Sequence, residues 1–385
     1  MKIIMIPNDP VWRGRHLYLA NELVNQGHEV HYLMWSLPYG MGKAELVKHL
    51  FTSLFVKKYT HDEFKVQTAC RLPYFWPYIN GWLFKRQLRS MYRKIGADIV
   101  ITESFTNETE VPKDLPFIYD LADDYAAPAD VYGGAVYKLA FKLLDIRGVM
   151  KRQCQNAVAV TAVSEILYKY AKQYSSNVVK LPNGVDQDRI VKTLKDKSTQ
   201  ATNKHSIVYM TNFGQWSRAI ETLQTITTLR KDYPDIDLTL IGPGVEADNI
   251  RGYIEANNAK SYIHYLGTIL DRDYLYALLN KCAIGLSISD KNKWRDASCP
   301  IKVIEYTALG KKVVSTDLTE VKNFNFPNVI LFTDGNKDKD LETTLRRALD
   351  SNKSYAAISK EVTQAYGWNV LVKKLTKLIP KGSEL

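Results

Sequence analysis

Cysteine is scarce in this chain and scattered where it occurs: Cys70, Cys154, Cys282 and Cys299 are the four in 385 residues. None stands at metal-ligand, redox or disulfide-framework spacing, so a zinc-stapled or disulfide-built scaffold is excluded, and the four read as single thiols in a reducing compartment. Long apolar runs are also missing. Nothing reaches the roughly 18–20 residues that span a bilayer. The short run at residues 2–6 stops at Pro7, Asn8, Asp9 and Pro10, too early for a secretory signal, so the expected location is the cytoplasm. Glycine is sparse where a dinucleotide fold would need it. The loop after the first predicted strand holds only Gly14, and without G-x-G-x-x-G spacing a dehydrogenase is disfavoured. No solenoid-type repeat is present.

What the chain does contain is a globular composition, 45% hydrophobic and 24% charged, at a length suited to two domains. Residues 2–6 form a continuous apolar run, as in a buried parallel strand, and a helix over 16–26 and a strand over 29–34 complete a βαβ unit. Further strands are expected at 97–102, 117–120 and 157–162. Residues 181–186 read as a loop, and the polar stretch 191–205 as the connection between domains. A second series follows, with strands at 206–211, 237–241, 263–266, 284–287, 312–315 and 329–332 and helices between them, for example at 219–231 and 274–280. Two doubly wound α/β domains in tandem would bind ligand at the carboxyl ends of their sheets, facing across a cleft.

The net charge of +11 is uneven. Between residues 43 and 94 eleven Lys or Arg stand against Glu45, Asp62 and Glu63, a net +8. Residues 44–59 and 82–94 both read as amphipathic helices with one cationic face, near Trp76, Tyr78 and Trp82. Such helices can lie on an anionic bilayer. The same charge would suit nucleic acid, but no nucleic-acid motif accompanies it.

Several segments carry a resemblance. Leu19, Ala20, Leu23, Gly27, His28, Glu29 and Val30 are similar to the opening of family-4-type glycosyltransferases with the GT-B fold. Thr161, Val163 and Ser164, followed by the run Leu181, Pro182, Asn183, Gly184, Val185 and Asp186, resemble the pair of motifs that closes their first domain. The segment from Asn212 through Gly214 to Leu223 is similar to the family's phosphate-facing element, with Arg218 at its cationic position. Gly242 and Gly244 match its strand-ending turn. The segment from Pro300 through Lys302, Glu305 and Tyr306 to Gly310 resembles the donor-binding helix.

The resemblance implies two Rossmann-like domains, 1–186 for the acceptor and 187–365 for the nucleotide sugar, with 366–385 as a helix crossing back to the first. It implies that Glu305 accepts from the donor ribose, as a carboxylate can take two O–H donors. Arg218, Lys302, Asn212, the Gly242–Gly244 turn and the Gly14 loop would hold the rest of the donor, a UDP-sugar, with no metal and no other cofactor. The family's second acid, eight positions before Glu305, is here Ala297, which leaves retaining and inverting outcomes both open. That shorter pattern looks like the branch of the xanthan glucuronosyltransferase and the teichuronic-acid-type enzymes. So does the run Tyr119, Asp120, Asp123 and Asp124. Crowded carboxylates at a strand end suit proton abstraction, and Asp123 is the first candidate base, ahead of Asp120 and Asp124. Lipid-linked acceptors are common in the resembled family, so the resemblance implies a lipid-linked or polysaccharide acceptor and a peripheral place on the inner face of the cell membrane. A sugar-nucleotide 2-epimerase of the same fold and a non-catalytic nucleotide-binding protein are the alternatives.

Overall fold

A computed structural model describes residues 1–8, 14–34, 55–72, 77–335 and 340–380. The chain divides into two compact units, Met1–Pro182 with Leu371–Leu385, and Asn183–Val370. The break falls inside the Pro182-Asn183-Gly184 turn.

The first unit is built on an eight-stranded sheet. Its strands are β1 (Lys2–Ile6), β2 (Glu29–Met34), β3 (Lys58–His61), β4 (Phe64–Thr68), β5 (Ile99–Thr102), β6 (Phe117–Leu121), β7 (Ala159–Ala162) and β8 (Val178–Lys180). Their order is β3-β4-β2-β1-β5-β6-β7-β8, and only the β3–β4 pair is antiparallel. Ile3–Ile6, Ile99–Ile101 and Phe117–Leu121 are buried throughout, as strands covered by helices on both faces must be. The sequence reading missed the β3–β4 hairpin and β8. The cationic helix expected over 44–59 lies outside the described residues as far as residue 54, and Lys58 and Tyr59 are in strand β3. The other cationic segment is helical, over Pro77–Ile95.

The second unit carries a six-stranded, all-parallel sheet: β9 (Ser206–Met210), β10 (Asp237–Ile241), β11 (Ile263–Gly267), β12 (Ile284–Ser287), β13 (Lys312–Thr316) and β14 (Val329–Phe332). Its order, β11-β10-β9-β12-β13-β14, is the doubly wound arrangement, with the direction of winding reversing between β9 and β12. The stretch 191–205 is not a linker. Gln187–Lys195 is a helix that buries Ile190 and Thr193, capped by the Asp186 carboxylate. Asn280 donates to the Thr193 carbonyl and to Thr199 Oγ1, tying the helix and the turn after it into the unit. Its short apolar content hid this element, because its inner face is satisfied by hydrogen bonds as well as by packing. All four cysteines are free, and burial pushes the Cys154 and Cys282 thiols up to about 12.

Candidate active site

In the first unit the sheet changes winding direction between β1 and β5, and chemistry-bearing side chains gather at their carboxyl ends. Gly14, with φ +93°, precedes the helix Arg15–Asn25. Arg15 is turned inward. Its Nε donates to Asp120 Oδ2 at 2.8 Å and its Nη2 to Asp120 Oδ1 at 3.2 Å, while Nη1 and Nη2 also donate to the carbonyls of Pro182 and Leu181. Asp120 takes a further bond from the Thr161 hydroxyl at 2.6 Å. A buried carboxylate held by a bidentate guanidinium and a hydroxyl has its lone pairs in use. Asp120, expected among the candidate bases, is thereby a structural pin between strands β6 and β7 and the start of the first helix.

Asp124 is also committed. Its Oδ1 accepts from the backbone N–H groups of Ala126 and Ala127, closing the turn that leads into the helix Ala127–Tyr132. Asp123 Oδ1 accepts from the Asp124 N–H at 2.8 Å. Beside it stands Tyr125, stacked on Phe105 with ring centroids 4.3 Å apart. Burial, with the Glu103 and Asp123 carboxylates near, pushes the Tyr125 hydroxyl well up, so it remains a hydrogen-bond donor. Glu103, at the end of β5, is buried, accepts from the Asn8 N–H at 3.3 Å, and has its Oε2 4.0 Å from His16 Nδ1. Glu103 and His16 were not singled out from the sequence. An acid directly after a buried strand at the sheet's reversal point was the available signal.

In the second unit the site is built around the ends of β9, β10 and β12 and the helix Ile301–Ala308. Gly242 and Gly244 have φ of +133° and +154°, and a Cβ at either would overlap the carbonyl oxygen of Thr211 or Phe213. The glycines let two loops run backbone to backbone, closed by Phe213 N–H donating to the Pro243 carbonyl at 2.7 Å. Their immediate task is to shape the Asn212–Arg218 loop. Asn212 is exposed on it. Arg218 begins the helix Ala219–Leu229 in a left-handed conformation and lies 4.9 Å over the Phe332 ring. Its guanidinium donates to both Glu221 oxygens at 2.5 and 2.8 Å and pairs with Asp334 at 3.1 Å. As the expected partner of a diphosphate it is already offset by two carboxylates, which a sequence reading of one motif could not reveal. Burial pushes the nearby Asp290 carboxyl up, with Asp334 and Glu221 adding to the effect.

Glu305 is buried, and its Oε1 accepts from the Tyr276 hydroxyl at 2.7 Å. Its Oε2 carries no hydrogen bond among the described residues. Lys302 stands one turn earlier on the same helix. Burial pulls its amine below the ordinary lysine value, opposed by Glu305 and reinforced by Arg295. Arg295, also missed in the sequence, lies 4.2 Å over the Trp216 ring and 5.4 Å over Trp294. Thus Lys302, Glu305 and Arg295 are brought together, while Arg218 is held by its own acids. Asn183 fixes the start of this helix, donating through Nδ2 to the Cys299 carbonyl at 2.8 Å. Asp296 does not replace the acid absent at Ala297, since both its oxygens accept from Thr319. Among the described residues no group of three or more His, Cys, Asp or Glu is placed to hold a metal, and no helix is long and apolar enough to cross a membrane.

Comparison with known proteins follows this two-part layout. Residues 15–189 match the model of Glycosyltransferase Family 4, and residues 191–365 that of Glycosyl transferases group 1. TuaH of Bacillus subtilis strain 168, whose name assigns it to teichuronic acid biosynthesis, is 21% identical over 267 residues, 68% of this chain and 66% of that protein. The match thus spans about two thirds of that relative's length. Among solved structures, Anabaena HepE in complex with UDP and glucose superposes with a TM-score of 0.67 at 15% identity, covering 100% of both chains. WaaG, a glycosyltransferase involved in lipopolysaccharide biosynthesis, also gives 0.67 at 15% identity, over 99% of this chain and 100% of its own. With these two models matching in tandem on this fold, the chain belongs to the GT-B glycosyltransferases, family 4 in its first half and group 1 in its second.

Proposed function

We propose that this protein transfers a sugar from a nucleoside diphosphate donor, a UDP-sugar, to a lipid-linked or polysaccharide acceptor presented at the inner face of the cell membrane, in the synthesis of a cell-surface glycan. The observation that carries the reading is the Lys302–Glu305 pair on the buried helix Ile301–Ala308, with Tyr276 donating to one Glu305 oxygen. The other oxygen is the acceptor offered to ribose hydroxyls. Lys302 and Arg295 supply positive charge for the leaving diphosphate, which makes a metal unnecessary in this scheme. Support for the donor comes from the UDP in the HepE structure, and for the glycan class from the names of TuaH and WaaG.

In the first unit Asp123 is the proposed base, since Asp120 is locked by Arg15 and Asp124 is tied to the Ala126 and Ala127 N–H groups. Glu103, His16 and Tyr125 lie near the same strand ends, and in this reading they orient an acceptor hydroxyl. The test is a thermal-shift panel of nucleoside diphosphates and nucleotide sugars, followed by product analysis by NMR with an acceptor present. Stabilisation by UDP and acceptor-dependent sugar transfer support the reading. Release of a free epimer without acceptor would assign a 2-epimerase instead, and binding without turnover a non-catalytic protein.

A further inference from the structure

Two hollows in the first unit are not used by the proposed function. The first, of about 370 Å3, is lined by residues of the helices Ile146–Asn156 and Glu165–Lys172. The crossovers from β6 to β7 and from β7 to β8 step in one direction across the sheet, so right-handed connections put both helices on one face. Met150 and Leu167, both buried, line the hollow together with the half-buried Tyr170 and Tyr174, whose ring centroids are 5.2 Å apart. Lys151 Nζ stands 5.5 Å from the Tyr174 ring centroid. Asp124, whose N–H donates to Asp123, lines the same hollow.

The second hollow, of about 320 Å3, is lined by Lys138, Phe141 and Lys142 of the helix Ala135–Leu143. Ala126 and Arg147 line both hollows, so the two are stretches of one groove with Asp124 in its wall. The carboxylates along it are engaged: Asp124 by the Ala126 and Ala127 N–H groups, Asp130 by Arg147 and Asp145 by Arg152. Lys138, Lys142 and Lys151 are exposed, and none is paired with a carboxylate among the described residues. The groove thus combines three aromatic rings with three uncompensated positive charges.

We infer that this groove binds an acidic oligosaccharide, the stretch of acceptor chain beyond the sugar that receives the transfer. The C–H faces of a pyranose pack on aromatic rings, and anionic groups carried by the sugars pair with the lysines. Each hollow has the volume of a small-molecule site, and two in succession suit a chain of several sugars rather than a single one. Protein interfaces, by contrast, are depleted of lysine at their centres. Asp124 ties the groove to the proposed base, because the two acids are neighbours in one hydrogen-bonded turn. The inference deepens, and rests on, the reading of a glycan acceptor.

The test is calorimetric titration of the full-length protein, without donor, with tetragalacturonate, with the neutral maltotetraose and with the acidic peptide tetraglutamate. Tetragalacturonate is expected to bind, and to bind less well as salt rises, with the other two about tenfold weaker or more. Lys151→Ala with Tyr174→Ala, and separately Lys138→Glu with Lys142→Glu, should each weaken tetragalacturonate binding about tenfold or more. The second pair is exposed and should keep the wild-type melting temperature, so it decides the matter even if the first pair disturbs folding. No binding of tetragalacturonate, equal binding by the Lys138 and Lys142 variant, or tetraglutamate binding as tightly as the saccharide overturns the inference. Sugar transfer by a protein that binds no tetragalacturonate would overturn the groove and leave the proposed activity standing. Tetragalacturonate binding with no transfer to any acceptor would sink the activity and leave the groove in place.

Discussion

Replacing Glu305 with Ala should weaken donor binding strongly while leaving the fold intact. Glu305 is buried, one oxygen takes the Tyr276 hydroxyl at 2.7 Å, and the other is the proposed ribose acceptor. A hydrogen bond to an ionised group contributes about 1.5–3 kcal/mol, more than a neutral one. Two ribose hydroxyls on one carboxylate thus amount to about 3 kcal/mol or more, and at about 1.4 kcal/mol per decade the UDP dissociation constant should rise about 100-fold. The substitution also leaves the Tyr276 hydroxyl without its acceptor, an effect on stability of about 1–3 kcal/mol. Tyr276→Phe separates the two effects. It removes the hydroxyl but not the carboxylate, so its melting temperature should fall while UDP binding changes only a few-fold. Isothermal titration with UDP, alongside thermal melting, reads both quantities. A dissociation constant for Glu305→Ala within about twofold of wild type, in protein of near-native stability, would refute the assignment.

Asp123→Asn should lower kcat at least about 100-fold with UDP affinity unchanged, since general-base catalysis contributes about that much; steady-state kinetics with varied donor checks it. Asp120→Asn leaves the Arg15 guanidinium buried without its counter-charge, and breaking such a pair costs about 3–5 kcal/mol, visible as a large fall in the urea midpoint. Gly242→Ala drives a Cβ into the Thr211 carbonyl and should impair folding of the second unit, read by circular dichroism. Lys311 provides a pH test. Burial lowers its amine to about 8, with its Nζ donating to the Asn280 carbonyl. A lysine depressed on folding binds fewer protons native than unfolded between its folded value and the ordinary one. Its contribution therefore destabilises below about pH 8 and is relieved as pH rises toward about 10.5, by about 3 kcal/mol in all. Urea midpoints of wild type minus Lys311→Met, measured from pH 7 upward, should climb; a flat difference contradicts the burial argument.

The parallel strands were legible because burial on both faces writes itself as continuous apolar sequence, as in Ile3–Ile6 and Val313–Val314. The β3–β4 edge was not. Lys58, Tyr59, Thr60 and Lys65 are exposed there, and an exposed cationic edge strand resembles an amphipathic helix in composition. In the site, Lys302 and Glu305 could be read together because one helical turn joins them. The Arg15–Asp120 pin spans 105 positions and has no local signature. Nor has the neutralisation of Arg218 by Asp334, 116 positions away. Long-range pairing of this kind decides which charged residues remain available for a ligand, and it is a property of the topology.

The most direct measurement is the fate of a UDP-sugar incubated with the purified protein and a membrane lipid extract, following UDP release and sugar attachment together by mass spectrometry. The account predicts that UDP appears in step with a glycosylated lipid or glycan, and that Asp123→Asn abolishes both. UDP-sugars left intact and unbound, or an epimerised sugar nucleotide with no acceptor consumed, would contradict it.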